Sequence, residues 1–321
     1  MSDLPQPQCW VGVDVAKATL DVALLPQSKT YHFKYDAQGV EEFLALLTDP
    51  ATTIVVLEST GGYECRLAAE LLEHGCRVAI VNPSRVRHLA KGLGQLAKTD
   101  RIDAGVLARY AQVVELQFLE KTSEKQAELA ALVQRRKQLV NLRTMESNRL
   151  ELTTVKVARK SIEAVLALFE KQIKQIEKQI AKLLEDDDRW NKLSQLLLSI
   201  PGIGMLTAAT LLAELPELGQ LNRQCVAALV GVAPYAADSG PHVGKRTIRG
   251  GRADLRRALY MATLTAKRCN PTIQAFAQRL HQAGKPFKLI MIACMRKLIT
   301  IINAIINTNQ PWRNNSPITT P

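Results

Sequence analysis

From residue 106 to residue 200 the chain contains neither glycine nor proline. Ninety-five consecutive residues without either breaker leave long helices as the only economical solution, because turns and strand ends ordinarily need one or the other. Both residues are frequent on either side of this stretch. The chain therefore divides into three: an N-terminal domain over residues 1–118, a helical middle over 119–190 and a C-terminal domain over 191–321.

Within the middle, Ile162, Phe169, Ile173, Ile176, Ile180 and Leu183 recur at heptad-like intervals, with lysines and glutamates between them. That is a coiled-coil stripe. An upstream helix over about 124–152 carries Leu129, Leu132, Leu139 and Leu142, and the β-branched cluster 153–157 marks a turn between the two. Such a stripe serves either a hairpin within one chain or self-association to a dimer, and association is the expectation.

The N-terminal domain reads differently. Cys9–Val15, Thr19–Leu25 and Thr30–Tyr35 are β-rich runs, Gln38–Leu47 an amphipathic helix and Thr53–Glu58 a buried strand. Gly62–His74 follows as a helix, Arg77–Val81 as a strand and Asp100–Ala111 as a helix. The order βββαβαβα, three meandering strands and then crossovers, is that of an RNase H-like fold. The fold class is thus α/β plus α: an RNase H-like N-terminal domain, a coiled-coil middle and a mostly helical C-terminal domain.

Charge follows the same division. The 321 residues hold 42 Lys and Arg against 30 Asp and Glu, a net +12, yet residues 1–120 are net −4 and residues 201–321 net +11. A basic excess confined to one third points to a polyanionic partner, nucleic acid before others. An apolar fraction of 47% excludes a disordered chain. Six scattered cysteines without a CxxC pair exclude a zinc ribbon and suit a reducing cytoplasm. The run Leu289–Met295 is short for a membrane span and is followed by Arg296 and Lys297, and the first residues lack the pattern of a secretory signal.

Four carboxylates stand where metal chemistry needs them. Asp14 lies inside the first strand and Glu58 ends the fourth, while Asp100 and Asp103 open a helix three residues apart and share a face. Acids on core strands are costly unless a partner neutralises them. A pair of Mg²⁺ ions would do so, and would clamp the attacking and leaving oxygens of a phosphodiester displacement. Taken singly, Asp100 also suits a helix cap and Glu58 a surface strand end. Asp21, with Lys17 and Lys29 as nearby charges, reads as surface.

The basic third adds two features. Leu196–Leu215 sets two apolar helices around Ile-Pro-Gly-Ile-Gly, the pattern of a helix-hairpin-helix, in which Gly202 and Gly204 would let backbone N–H groups approach a phosphate. Lys245, Arg246, Arg249, Arg252, Arg256 and Arg257 then place six cations in thirteen residues, with Gly244, Gly250 and Gly251 between them. Phosphate contacts are their expected use. Ser239 sits on a loop bracketed by Pro234 and Pro241; spacing alone marks it only weakly as a nucleophile, and nearby His242 lacks a partner acid.

Together these motifs — V-G-V-D-V-A-K, V-L-E-S-T-G-G-Y, K-T-D-R-I-D-A, I-P-G-I-G and D-S-G-x-x-x-G-K-R-x-I-R-G-G-R — resemble the IS one-ten (IS110) family of insertion-sequence transposases. These are the DEDD transposases, bridge-RNA-guided recombinases. The resemblance runs over the whole chain in order. It implies a RuvC-like first domain, a coiled coil and a C-terminal transposase domain. It implies that Asp14, Glu58, Asp100 and Asp103 bind Mg²⁺ and that Ser239 is the catalytic nucleophile, forming a serine–DNA link. It further implies donor and target DNA as partners, a structured noncoding guide RNA, assembly from dimers to a tetramer, and action in the cytoplasm. Two rival readings stay open: a metal-dependent nuclease or resolvase that uses water, and a non-enzymatic nucleic-acid scaffold, which leaves the four acids unexplained.

Overall fold

A computed structural model describes residues 5–59, 61–97, 99–121, 123–236, 238–240 and 244–313. The chain forms two compact units, residues 1–122 and 123–321.

The first unit is built on a five-stranded mixed sheet among the described residues. Its strands are β1 (Cys9–Val15), β2 (Thr19–Leu25), β3 (Lys29–Lys34), β4 (Thr53–Glu58) and β5 (Arg77–Val81), in the spatial order β3-β2-β1-β4-β5. The first three form an antiparallel meander, and β4 and β5 run parallel to β1. The helices are α1 (Ala37–Ala45), α2 (Tyr63–Glu73), α3 (Pro83–Gly92) and α4 (Asp100–Val113). The strand and helix positions follow the apolar pattern closely, with one addition. The segment between β5 and α4 holds a helix, α3, that the sequence pattern did not announce: Asn82 caps it by accepting from the Ser84 N–H, and Pro83 takes its first position. Its mean polarity hides a narrow apolar face, Val86 and Ala90.

Strand periodicity sorts the β1 side chains onto two faces. Val11, Val13 and Val15 enter one core with Val40, Phe43, Leu67 and Leu71. Trp10 and, from β4, Ile54 and Val56 enter the other, with Val86, Ala90, Val106 and Leu107. Gly12 and Asp14 share the face of Trp10, and Glu58 shares that of Ile54 and Val56.

The second unit is helical. The two long helices expected of the breaker-free stretch are α5 (Glu124–Leu152) and α6 (Lys156–Glu185). They turn at Thr153–Val155, where Arg159 Nη1 donates to the Leu150 and Thr153 carbonyls, and pack on each other as a hairpin in one chain. Leu129, Val133, Ile180 and Leu184 at its open end join the core of α7 (Asp188–Leu198), α8 (Met205–Glu214), α9 (Arg223–Val230), α10 (Ala253–Cys269), α11 (Pro271–Gln282) and α12 (Phe287–Thr308). The apolar run ending α12 is longer than the sequence reading allowed. It continues past Arg296 and Lys297 to Thr308, and length and composition alone would let it cross a bilayer. Cys294, Leu298, Ile299, Ile302 and Ile305 instead bury one side of it in the unit's core.

Candidate active site

Gly12 explains how α4 comes to lie across β1. A Cβ at that position would stand 2.1 Å from the Ala104 carbonyl oxygen and 2.3 Å from the Ala108 nitrogen, so only glycine permits the approach. Asp14 lies two residues farther along the same face, about 7 Å on. Helix α4 rises only about 1.5 Å per residue, so 7 Å covers roughly one turn and a quarter. Moving back that far from Ala104–Ala108 reaches Asp100 and Asp103, in the helix's first turn. On the other side, β1 and β4 pair Val13 with Leu57, and the next step of this parallel register sets Asp14 beside Glu58. The antiparallel register pairs Asp14 with Asp21.

The electrostatics agree with the register. Asp14 is half-buried and its carboxyl is pushed up to about 6, first by burial, then by the negative charges of Asp100, Glu58, Asp103 and Asp21. Asp21 is therefore more than surface: His32 Nδ1 lies 3.0 Å from its Oδ1, and it adds to the negative field on Asp14. Thr99, not Asp100, caps α4, its hydroxyl accepting from the Ile102 N–H. That takes the N-cap role away from Asp100. Glu58 and Asp103 line one cavity of about 310 Å³ with Ser84 and Arg87 from α3. Arg87 was absent from the sequence reading because the helix that carries it was. Its Nη2 donates to the Leu96 carbonyl, while its buried Nη1 lacks a hydrogen-bond partner among the described residues. The loop after β4 is held by the buried Glu64, which accepts from Ser59 Oγ at 3.2 Å and the Gly62 N–H at 2.8 Å. The carboxylates converge without closing: among the described residues no three His, Cys, Asp or Glu side chains are grouped tightly enough to hold an ion.

In the second unit, Ser239 is exposed on the connection of a small antiparallel ribbon, β6 (Pro234–Tyr235) and β7 (Thr247–Ile248). Asp238, its neighbour, accepts from the Gly244 N–H at 3.0 Å and pairs with Arg246 at 2.9 Å, clamping the loop across its base. His242 lies outside the described residues.

The other five cations of this region divide into two kinds. Arg252 makes a forked pair with Glu217 at 2.7 and 2.9 Å and donates to the Glu214 carbonyl. Arg256 donates to the Gly250 carbonyl at 2.7 Å, beside the close contact of Gly231 with Gly251. Both guanidinium groups hold the fold together, and Gly251 serves that packing. Lys245, Arg249 and Arg257 are exposed, and among the described residues Arg257 alone of the three lies near an acid, Asp254 at 3.5 Å. The turn between α7 and α8 also departs from expectation. A Cβ at Gly202 would meet Ala266 of α10 at 2.7 Å, so this glycine admits a helix, whereas Gly204 is open and exposed at the start of α8.

Comparison with known proteins agrees with the motif pattern. Residues 11–155 match a DEDD transposase family model of the IS110 type, described as a transposase. Residues 194–278 match the model described as "Transposase IS116/IS110/IS902 family". The chain is 31% identical over 313 residues to the pilin gene-inverting protein of Moraxella bovis, covering 94% of this chain and 97% of that one. Its counterpart in Moraxella lacunata is equally similar. The transposase for insertion sequence element IS1328 of Yersinia enterocolitica is 27% identical over 310 residues, 86% of each chain.

Proposed function

The chain belongs to the IS110 family of insertion-sequence transposases, and from that premise we propose that it cuts and rejoins donor and target DNA through a serine–DNA intermediate, guided by a structured noncoding RNA. The observation that carries the reading is the convergence of Glu58, Asp100 and Asp103 on Asp14. The strand order β3-β2-β1-β4-β5 supports an RNase H-like, RuvC-like assignment for residues 1–118. Residues 119–190 serve as the coiled coil and residues 191–321 as the serine-bearing, nucleic-acid-binding domain.

The acids suit a divalent cation. All four are hard oxygen donors, and the carboxyl of Asp14 is raised first by burial and then by the neighbouring carboxylates. Asp14, Glu58, Asp100 and Asp103 would hold Mg²⁺, which when bound supplies Lewis-acid polarisation of the scissile phosphate. Arg87, which lines the same cavity, binds a non-bridging phosphate oxygen. Ser239 Oγ attacks phosphorus, loses its proton and forms the new P–O bond as the bond to the 3′-oxygen breaks. The 3′-oxygen leaves and takes a proton. In the reverse sense a 3′-hydroxyl attacks the phosphoserine, so strands are rejoined without outside energy. Relatives named for inverting a pilin gene fit this balance of cutting and rejoining.

Lys245, Arg249 and Arg257 supply phosphate contacts, with Arg246 beside the serine loop. Gly204 offers an open backbone at a helix start. Self-association uses the half of the α5–α6 hairpin nearest its turn, where Leu142, Met145, Leu152, Val155, Val157 and Leu168 are exposed. The protein so assembled acts on element and chromosomal DNA in the cytoplasm.

The test is a denaturing gel of labelled element-end DNA with Mg²⁺ and the element's noncoding RNA. Wild type should leave a covalent protein–DNA band, and Ser239→Ala should give neither band nor cut strand. Cleavage by Ser239→Ala at near wild-type rate would make water the nucleophile.

A further inference from the structure

The last 67 residues, 255–321, contain ten Lys and Arg and not one Asp or Glu. Three of these cations gather with two aromatic rings on one side of α12. Lys267 Nζ, from α10, lies 4.9 Å from the ring centre of Phe287 at the start of α12. Lys297, on α12, lies 4.7 Å from the ring of Phe276, and Arg279, like Phe276 on α11, lies 5.2 Å from the same ring. The two groups are one strip, because Lys267 and Lys297 both act electrostatically on the buried Cys294 between them. Among the described residues none of Lys267, Arg279 and Lys297 forms an ion pair. Lys297 is held below the usual lysine range by burial and by Arg279. Like charges kept this close, with no carboxylate supplied by their own stretch of chain, call for an anion from outside.

The rings narrow the choice. Phe287 is 55% exposed although a cation already covers part of it. A paired duplex offers its phosphates to such a surface but not its base faces. An unpaired strand offers both, and combining stacking rings with a basic track is how single strands are bound without base readout. We propose that the Lys267–Phe287–Lys297–Phe276–Arg279 strip binds an unpaired DNA strand, with a base stacked on Phe287 and successive phosphates on the three cations. The strip shares no residue with the serine loop or the Lys245–Arg257 segment. The inference rests on the chain being a DNA transposase and not on how it cuts.

The test is fluorescence anisotropy of the full-length protein in EDTA, where no strand is cut, with a labelled single-stranded 15-mer, the same sequence as duplex, and the RNA version. Phe287→Ala should weaken single-strand binding about five- to a hundredfold and leave duplex binding unchanged, and Phe287→Trp should restore it. The triple variant Lys267→Gln, Arg279→Gln, Lys297→Gln should lower the log–log salt slope for the single strand by about 2. Ser239→Ala should bind like wild type, which separates this surface from the serine mechanism. Single-strand binding by Phe287→Ala equal to wild type, or an equal loss on duplex, would overturn the proposal. So would a Phe287-dependent preference for the RNA strand over the DNA strand.

Discussion

Gly12 of β1 and Ala104 of α4 approach so closely that a single added carbon would sit 2.1 Å from the Ala104 carbonyl oxygen. The obstacle is backbone on both sides of the contact, so the helix itself must move. Gly12→Ala should therefore cost about 1–3 kcal/mol of stability by overpacking. It should cost more in activity than in folding, because the same helix carries Asp100 and Asp103, and a shift near 1 Å at a catalytic constellation can lose about a hundredfold in rate. Thermal melts paired with strand-cleavage rates check this. A variant that melts lower yet cuts at the normal rate would show that the helix contact does not set the acids' positions.

Asp14 predicts a pH signature in metal-free protein. Its folded carboxyl titrates at about 6 against 3.8 for the ordinary group. Between those values the folded state holds a proton that the unfolded state has released, so stability falls as pH rises through about 4–6 and stays low above. Asp14→Asn removes the penalty. In EDTA at pH 7.5 it should be more stable than wild type by about 1–2 kcal/mol, allowing for solvent screening of a half-exposed group, with the gain shrinking toward pH 4. Mg²⁺ should stabilise wild type and not the variant. Urea denaturation at the two pH values measures both, and equal stability at pH 7.5 would mean that the carboxylates do not crowd Asp14.

Much of this was legible in the sequence, and the failures have physical causes. Alternating valines located β1, a continuous apolar run located β4, and the lack of breakers located α5 and α6. Helix α3 was missed because its pattern is too polar to stand out, and Arg87 was missed with it. The cations could be counted but not sorted: nothing in the order of residues reveals that Arg252 is committed to Glu217, 35 positions away. Gly202 looked like a phosphate-binding glycine because a tight turn and a close helix crossing demand the same residue. Asp21 gave no sign that its strand partner would be Asp14, since strand register is a long-range property.

That sorting makes a paired prediction. Arg252→Ala should lower stability by about 1–2 kcal/mol, because it leaves Glu217 and the Glu214 carbonyl without their forked donor. Arg249→Ala should leave the melt unchanged but reduce the log–log salt slope for nucleic-acid binding by about 0.7–0.9, one phosphate contact. Melting curves and salt titrations on the two variants separate these effects. A salt slope unchanged in Arg249→Ala would place that guanidinium away from the nucleic acid.

The hairpin makes a similar distinction. Ile173 and Ile180 are buried inside one chain, so aspartate at either should unfold the protein rather than dissociate a dimer. Val157 is exposed beside the turn and Leu168 near the middle of α6. Leu168→Glu with Val157→Glu should keep the fold and halve the mass seen by light scattering. Full retention of the larger species would exclude this half of the hairpin as the association surface.

The loop that carries Ser239 gives the finest test, because Asp238 has two possible uses. Its carboxylate accepts from the Gly244 N–H and pairs with Arg246, which makes it a positioning residue for the adjacent serine. A carboxylate one residue from a nucleophile could instead take the serine's proton. Substitution separates the two. Asparagine keeps an oxygen that can accept from Gly244 but cannot act as a base, whereas alanine loses both. If Asp238 positions the loop, Asp238→Asn should form the covalent DNA adduct within a few-fold of wild type, and Asp238→Ala should fall about ten- to a hundredfold, in line with a misplaced nucleophile. Melting temperatures should not change in either, since Asp238 is exposed and adds nothing to the core. If Asp238 is the base, both variants should fall by about a hundredfold or more and to the same level. Adduct yield against time on a denaturing gel, at one Mg²⁺ and RNA concentration, decides between them.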